Sequence, residues 1–390
     1  MKDAAPAGPR DARLAAQFRF LQEADALKGV LRANVLQDLS RPENSAEHSW
    51  HAALFALVLA DCAPQPVEAA RAIAMLLLHD LVEIDAGDHP IHLPVDAAAV
   101  EAAEAAAAQR LFGLLPADQA AELHALRAEF EAGETTDARY ARMIDVIQPV
   151  FQVLMAPAPL PEHRRIAQDN LLSGRAAPLV AHWPEAHAAA LALLEGRPLP
   201  ATPVAARLAF LAEADRLKSV LRATPVLKGA RRENSAEHSW HIALHALVLH
   251  DLAAPGVDRD RIIAMLLLHD LVEIDAGDTP IHAGVDAAAQ AAREAAAAER
   301  LFGLLPAKQG AALHALWQEF EAAETADAVF AKSIDRVQPL FLNLASGGGS
   351  WRDYEVTLAQ LEHRVGSKIA RGSPALWAFV RARVAPWFAA

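Results

Sequence analysis

A block of sequence that occurs twice constrains this chain more than any other feature. In the first copy, His48 lies in an Asn/Ser/Glu-rich segment (43–51), and the pair His79-Asp80 follows an apolar run in a second segment (74–88). Each of these positions recurs 190 residues later in the chain. Because the offset is the same in both segments, the pattern predicts a duplicated domain rather than two chance motifs.

The length of the chain agrees with a duplication. A chain of 390 residues is long for one hydrophobic core, so about two domains are expected. We predict a flexible tail at 1–12, a first unit at 13–196 and a second unit at 205–390. The Pro-rich segment 197–204 between them is predicted to be an extended linker.

Both units are predicted to be all-α. Ala-rich segments such as 96–113 have high helix propensity, and the Gly and Pro residues that follow are typical of a helix end. No convincing alternating strand pattern is present, and we expect roughly six or seven helices per unit. Apolar residues recur near every 3.6 positions in four further segments of the first unit, at 44–61, 67–84, 117–131 and 136–154.

Composition excludes several function classes. The net charge of −13 argues against general nucleic-acid binding, which needs a basic face. No apolar stretch approaches the roughly 18 residues of a membrane span, and the N-terminus lacks the apolar run of a signal peptide. Cys62 is the only cysteine, so no disulfide can form within the chain. We therefore expect a cytoplasmic protein with neither a nucleic-acid nor a membrane partner.

Polar residues in apolar surroundings indicate a metal site in the first unit. The run 75–78 is apolar on every side and predicts a buried helix, which His79 and Asp80 follow directly. A buried Asp is costly unless it is paired or binds a metal. His48 and Asp145 are the candidates for further ligands, the latter because it interrupts an apolar helix face. Two imidazoles and two carboxylates suit Mn, Co, Fe, Ni or Zn.

The second unit carries an equivalent set of candidate ligands, namely His238, His269, Asp270 and Asp335. In the first unit, Glu83 shares a helix face with His79 and Asp80. A carboxylate there could take a proton from a water molecule that the metal activates, and Glu273 would do the same in the second unit. A buried His-Asp hydrogen bond could also be purely structural. The retention of five polar positions in both copies favours the metal site.

The sequence resembles the HD-domain superfamily of metal-dependent phosphohydrolases, and within it the bacterial 5′-deoxynucleotidase-like enzymes. The resemblance is carried by three segments and their second copies: Leu27–Arg32, Arg41–Ser49, His79–Asp88, Leu217–Arg222, Arg231–Ser239 and His269–Asp278. It implies one divalent ion per unit, held by the two histidines and two aspartates named above. It also implies that Glu83 and Glu273 act as the acid/base groups.

The resemblance further implies which residues contact the substrate. Arg32 lies in a segment that contacts phosphate or sugar in this family, and Asp88 matches a position near the sugar of a nucleotide. Ala33 stands where the deoxynucleotidases carry a Trp that excludes a 2′-hydroxyl, so the sequence does not predict a preference for deoxynucleotides. The second unit has the equivalent residues Arg222, Asp278 and Ala223.

Lys28 and Lys218 occupy equivalent positions, each four residues before one of these arginines. Two interpretations are open for them. They could form a phosphate clamp, or they could lie on a solvated helix face.

We expect a hydrolase that acts on the phosphomonoester of a small metabolite, such as a nucleoside 5′-monophosphate. One alternative is a di-iron oxygenase of the same fold, for which His51, His92 and His124 are the nearby additional histidines in the first unit. Another is a regulatory protein that binds a nucleotide without catalysis at one or both sites. The two units are expected to pair within one chain as a pseudo-dimer.

The two copies differ in one segment near the site. The second contains Gly347–Gly349 followed by Trp351 and Arg352, whereas the offset between the copies grows from 190 to 200 at Glu162 and Glu362. The first copy therefore lacks ten residues. The extra segment could be a lid or an ordinary surface loop, and the second site looks the more complete.

Overall fold

The computed structural model describes residues 8–91, 93–227, 231–284 and 286–389. Ten α-helices form the first unit together with a short β-hairpin and three 3₁₀ turns. The helices are α1 (Pro9–Ala24), α2 (Ser45–Leu59), α3 (Ala69–Leu78), α4 (Glu83–Ala86), α5 (Ala97–Phe112), α6 (Ala117–Ala132), α7 (Thr136–Met155), α8 (Pro161–Ser173), α9 (Leu179–His182) and α10 (Pro184–Leu194). The strands are β1 (Leu31–Val35) and β2 (Pro42–Asn44), and the turns are Asp25–Gly29, Ala60–Cys62 and His79–Val82.

The second unit repeats this order. Its helices are α11 (Leu208–Ala214), α12 (Ser235–Leu249), α13 (Arg259–Leu268), α14 (Glu273–Ala276), α15 (Ala287–Phe302), α16 (Ala307–Ala322), α17 (Ala326–Ala345), α18 (Ser350–Asp353), α19 (Leu358–Leu361), α20 (Ser367–Gly372) and α21 (Pro374–Phe388). Its strands are β3 (Leu221–Pro225) and β4 (Arg232–Asn234). The 3₁₀ turns are Ala205–Arg207, Asp215–Ser219 and His250–Leu252, and Glu362–Gly366 form a π-helical turn.

The all-α prediction is confirmed, with three differences in detail. The predicted tail overlaps α1, which begins at Pro9, a residue that suits the first turn of a helix; residues 1–7 lie outside the described part. The segment 67–84 is not one helix, because α3 ends at Leu78 and a 3₁₀ turn follows. One-turn helices such as α4 raise the helix count above the six or seven that we expected.

The two antiparallel hairpins, β1–β2 and β3–β4, are a further departure from the all-α prediction. Their strands have three to five residues, and the register shifts between Leu31 and Val35 and again between Leu221 and Pro225. Strands this short and irregular give no period-2 pattern in the sequence. They matter to the site because β1 carries Arg32 and β2 ends at Asn44, where α2 begins.

Helices α2 and α12 pack against each other across the boundary between the units. Every residue of α12 is buried, and so is every residue of α2 except Leu57. A helix that is covered on all sides needs no polar face, which explains why its sequence is not amphipathic. Asn44, followed three residues later by Glu47, has the sequence pattern that predicts a capping box, and such a box closes the N-terminus of α2 in the structure.

Contacts between the units are reciprocal. The side chain of Asn44 donates to Glu237 at 2.6 Å, and that of Asn234 donates to Glu47 at 2.7 Å. The buried Trp50 and Trp240 donate to the backbone carbonyls of residues 267 and 77 in the opposite unit, each at 3.2 Å. Each unit thus satisfies buried polar groups of the other at equivalent positions.

Candidate metal centres

The first candidate ligand, His48, lies in the first turn of α2 and is fully buried. Its Nδ1 is 2.9 Å from the Oε1 of Gln148, an oxygen that can only accept, so Nδ1 carries the proton. Its Nε2 therefore has a free lone pair, and this atom lies 3.2 Å from Asp145 Oδ1.

The second candidate, His79, begins the 3₁₀ turn that ends α3. Its Nδ1 donates to the carbonyl of Leu76 at 2.8 Å, which again leaves Nε2 as the acceptor. This Nε2 is buried and has no hydrogen-bond partner. The turn also brings Asp80 onto the same side, with Oδ1 3.1 Å from His79 Nε2. A continuous helix would have separated these neighbours by about 100°.

The two aspartates complete the group. Asp145 Oδ1 is 3.5 Å from His79 Nε2, and Asp80 Oδ2 is 4.0 Å from His48 Nε2. Burial acts to raise the pKa of Asp145, but the close approach of both imidazole rings holds it well below its ordinary value. The guanidinium of Arg32 donates to Asp80 at 2.8 Å. Both carboxylates are thus available as anionic ligands.

The second unit repeats this arrangement. His238 Nε2 is 3.1 Å from Asp335 Oδ1, and His269 Nε2 is 2.9 Å from Asp270 Oδ1. His269 also has a buried Nε2 without a hydrogen-bond partner. Arg222 donates to Asp270 at 2.6 Å. The structure therefore brings together all eight predicted ligands, four in each unit.

The donor atoms fit a divalent cation. In each unit two imidazole nitrogens with free lone pairs and at least one carboxylate oxygen lie within 4.8 Å of one another. The unpartnered Nε2 atoms of His79 and His269 would be costly to bury without an electrophile that accepts their lone pairs. Nitrogen and carboxylate donors together suit a first-row transition metal.

A third cluster of possible donors, Asp25, Glu233 and His241, is of a different kind. The ammonium group of Lys28 lies at its centre, 2.7 Å from Glu233 Oε1 and 3.1 Å from His241 Nδ1, and it also contacts Asp25. A fixed positive charge already fills this position. The cluster is therefore an ion-pair network rather than a metal site.

Glu83 lies beside the first centre on the one-turn helix α4. The hydroxyl of Ser45 donates to its Oε2, and its Oε1 is 3.8 Å from Arg32 Nη1. Burial, followed by the charge of Asp80, raises the pKa of Glu83 to about 8. Burial raises the pKa of Glu273, its counterpart, in the same direction. A carboxyl group with a pKa of about 8, such as that of Glu83, can exchange a proton near neutral pH.

Both centres open into a cavity, but the two cavities differ in size. The first, about 540 Å³, is lined by Arg32, Ala33 and Asp88. The second, about 180 Å³, is lined by the equivalent residues and by Trp351 and Tyr354 of the extra segment. The segment that the first unit lacks therefore narrows the second site.

An arginine approaches the last aspartate in each unit from a different place in the chain. In the second unit, Arg336 Nε is 3.4 Å from Asp335. The equivalent of Arg336 is Val146, and in the first unit Arg175, after α8, reaches within 3.8 Å of Asp145. Sequence analysis did not single out either arginine.

Lys28 and Lys218 do not line the cavities, so neither open interpretation describes their position. Both are almost fully buried, at 2% and 0% exposure, and they pair with carboxylates at the boundary between the units. His51 and His241 are also buried there, away from the metal donors. Their Nε2 atoms bond to backbone carbonyls at 3.0 and 2.8 Å.

Of the other histidines considered for an oxygenase, His51 and His124 do not add donors to the first centre. His124 packs edge-on against the ring of Phe112, 5.0 Å between centroids. His92 lies outside the described residues. Within the described part of the chain, the histidines whose donor atoms cluster with Asp145 within 4.8 Å are His48 and His79, while His89 and His163 line the cavity beside them.

Comparison with known proteins places the chain in a family. A family model described as an HD domain matches residues 24–187 and again residues 214–377. The chain belongs to the HD-domain family. It carries the domain in tandem.

Several individual proteins are similar to part of this chain. The bovine 5′-deoxynucleotidase HDDC2 is 29% identical over 163 residues, which cover 40% of this chain and 78% of the relative. The Schizosaccharomyces pombe 5′-deoxynucleotidase hdd1 is 26% identical over 134 residues, 33% of this chain and 66% of the relative. A predicted metal-dependent phosphohydrolase of known structure from Magnetospirillum magnetotacticum MS-1 is 48% identical, covers 47% of this chain and 95% of that chain, and has a TM-score of 0.45.

Among the described residues, no helix combines the length and the hydropathy needed to cross a bilayer.

Sequence analysis missed several residues that support the site. Gln148 and Gln338 fix the proton on a predicted ligand histidine, and Ser45 and Ser235 donate to the glutamates predicted to act as acid/base groups. All four recur at the 190-residue offset. That recurrence is the signal that would have found them.

Proposed function

We propose that each unit hydrolyses the phosphomonoester of a small metabolite, with nucleoside 5′-monophosphates as the substrate class. The observation that carries the proposal is the convergence of two free imidazole nitrogens and two carboxylates beside an arginine and a protonatable glutamate. This set occurs once in each unit and opens into a cavity both times.

The ligands of the first divalent ion would be His48, His79, Asp80 and Asp145. Those of the second would be His238, His269, Asp270 and Asp335. In both sets the histidine Nδ1 atoms are engaged by hydrogen bonds, which orients Nε2 towards the centre. The donor set supports Mn, Co, Fe, Ni or Zn as the native metal.

When bound, the ion would supply Lewis-acid activation of a water molecule and of the phosphoryl group. Glu83 is placed to take the proton from the attacking water, since its carboxyl group lies at the cavity and its pKa is raised to about 8. Arg32, whose guanidinium lines the cavity, would offset negative charge on the phosphoryl oxygens. Glu273 and Arg222 would do the same in the second unit.

Nucleotides are supported as substrates by the relatives named above and by the cavity. Asp88 and Asp278 lie in the cavities, each 3.8 Å from the arginine of its unit, where they could bind a sugar hydroxyl. Ala33 and Ala223 line the same walls and leave room beside the sugar. We therefore expect both ribo- and deoxynucleotides to be accepted.

The two units would act as an intramolecular equivalent of a homodimer. The reciprocal contacts across α2 and α12 support this proposal. Size-exclusion chromatography with light scattering should give a monomer of 41.7 kDa; dimers that exchange units between chains would contradict it. The single cysteine supports a reducing compartment, the cytoplasm, as the place of action.

One screen tests the proposal. Phosphate release is measured from ribo- and deoxynucleoside monophosphates and from small sugar phosphates, with Mn, Co, Ni, Fe and Mg in turn. The wild type is compared with Asp80→Ala, Asp270→Ala and the double variant. We expect release by the wild type and none by the double variant. Equal release by both would overturn the mechanism.

A further inference from the structure

Two buried lysines, Lys28 and Lys218, each extend from one unit into the other. There they contact residues that are linked through hydrogen bonds to a predicted metal ligand of that other unit. Lys28 comes from the 3₁₀ turn Asp25–Gly29 of the first unit. Its ammonium donates to Glu233 Oε1 in the second unit at 2.7 Å. The exchange is reciprocal, because Lys218 donates to Glu43 Oε1 in the first unit, also at 2.7 Å.

The hydrogen-bond acceptors around Lys28 indicate that its side chain is a charged ammonium group. Asp25 and Glu233 are carboxylates, and His241 Nε2 is 2.8 Å from the carbonyl of Leu21, so His241 Nδ1 is an acceptor. The three N–H groups of the ammonium thus meet three acceptors in a site that excludes water. A buried charge so completely paired is costly to remove from one side alone.

From Lys28 the contacts continue to a predicted ligand of the second centre. Glu233 Oε1 also accepts from Gln338 Nε2 at 2.7 Å, which fixes the orientation of that amide. The other end of the amide, Oε1, lies 3.0 Å from His238 Nδ1. If this amide turned over, its NH₂ group would face the Nδ1–H, and the Nε2 lone pair would no longer be directed at the metal.

The first centre is supported from the second unit in a related way. Lys218 Nζ donates to Gln152 Oε1 at 2.9 Å, and the same oxygen accepts from Gln148 Nε2 at 2.7 Å. Gln148 Oε1 then lies 2.9 Å from His48 Nδ1. The intermediate residue differs because Leu342 is the equivalent of Gln152, yet the end point, a fixed ligand histidine, is the same.

We propose that Lys28 is a positioning residue for the second metal centre and Lys218 for the first, so that each active site is complete only when the opposite unit is folded against it. This inference rests on the proposed two-site function. It identifies neither lysine as a catalytic residue, because neither contacts the cavity.

The test measures each metal centre separately by inactivating the other one in the same chain. Asp80→Ala leaves the second centre as the intact one, and Asp270→Ala leaves the first. Lys28→Met is added to each background, and kcat for phosphate release and Mn²⁺ affinity by calorimetry are measured. We expect the second centre to lose about 10- to 100-fold in kcat or Mn²⁺ affinity. The first centre, in the same mutated unit as Lys28, should lose far less.

Lys218→Met should give the opposite pattern. Lys308→Met, at an exposed lysine on α16, is the matched control for the substitution itself and should change neither centre. A purely structural role at the boundary would weaken both centres equally, and that result would overturn the proposal. So would a loss confined to the centre of the lysine's own unit, or no loss at all.

A second variant guards against misfolding. Lys28→Met leaves Asp25 without its ion-pair partner, so Asp25→Asn is combined with it; the asparagine can still accept from the backbone N–H of Leu227, which now lies 2.9 Å from Asp25. We expect this double variant to show the same loss of kcat or Mn²⁺ affinity at the second centre. Mn²⁺ binding reports on the lysines without turnover, so a chain that binds the ion but releases no phosphate would refute the proposed function and leave the lysine comparison intact.

Discussion

At the scale of single residues, burial and hydrogen bonding separate the predicted ligands from the predicted acid/base groups. His79 and His269 present a buried nitrogen without a partner, which is the property expected of a ligand. Glu83, three residues after Asp80, already has a hydrogen bond from Ser45 and a pKa near 8, which suits proton transfer better than coordination.

This distinction predicts the effect of Glu83→Gln in the Asp270→Ala background. We expect kcat to fall by about 10²- to 10⁴-fold, because the amide cannot take a proton from water. The Mn²⁺ stoichiometry measured by calorimetry should not change. Asp85→Asn, at an exposed carboxylate on the same turn, serves as the control and should retain activity. Loss of the metal with Glu83→Gln would show that this residue is a ligand.

The alanines beside the arginines give a second prediction at this scale. Ala33→Trp and Ala223→Trp together should lower kcat/KM for ribonucleotides more than for deoxynucleotides, by about tenfold, because the ring would crowd the 2′-hydroxyl. The ratio of the two kcat/KM values is the measurement. An unchanged ratio would place the sugar elsewhere in the cavity.

At the scale of secondary-structure elements, the sequence predicts the long helices and the capping box but not the breaks between them. Helix propensity and spacing give α5, α6 and α7 to within a few residues. The end of α3 at Leu78 has no Gly or Pro to mark it. The turn after it is set by tertiary packing, and this turn brings His79 and Asp80 to one side. The strands of the hairpins are too short to show the alternation of apolar and polar residues that is typical of a strand.

The N-terminal cap of α2 should contribute more to the stability of the protein than an ordinary helix cap does. Asn44→Ala is expected to lower the free energy of unfolding by about 2–4 kcal/mol, because it removes a cap and also a donor to the buried carboxylate of Glu237. Asp96→Ala, at the exposed cap of α5, is the matched control and should cost about 1 kcal/mol. Urea denaturation measures both. Equal losses would mean that the hydrogen bond from Asn44 to Glu237 contributes nothing to the free energy of unfolding.

At the scale of the whole molecule, duplication kept the predicted metal ligands in both units and altered the residues that line the cavities beside them. The constant offset in the sequence predicts two sites of equal composition. It cannot predict that Trp351 turns inward, since this depends on packing against Trp387 and Phe388 at the C-terminus. The position of the buried lysines likewise depends on how the units meet, which no local pattern encodes.

The difference in cavity size predicts different substrate ranges. With Asp270→Ala, the larger first site should accept a nucleotide with an extended base substituent nearly as well as the unsubstituted one. With Asp80→Ala, the second site should discriminate against it by about tenfold or more in kcat/KM. Adding Trp351→Ala should reduce that discrimination. Identical selectivity in the two single-site chains would show that the extra segment does not limit access.

The central claim is that one chain contains two separate divalent-metal centres of the same design. Counting bound Mn²⁺ in the purified chain by calorimetry, with elemental analysis as a check, tests it most directly. We predict two ions per wild-type chain, one in Asp80→Ala, one in Asp270→Ala and none in the double variant. Two ions bound by the double variant, or a single ion in the wild type that either substitution removes, would contradict the account.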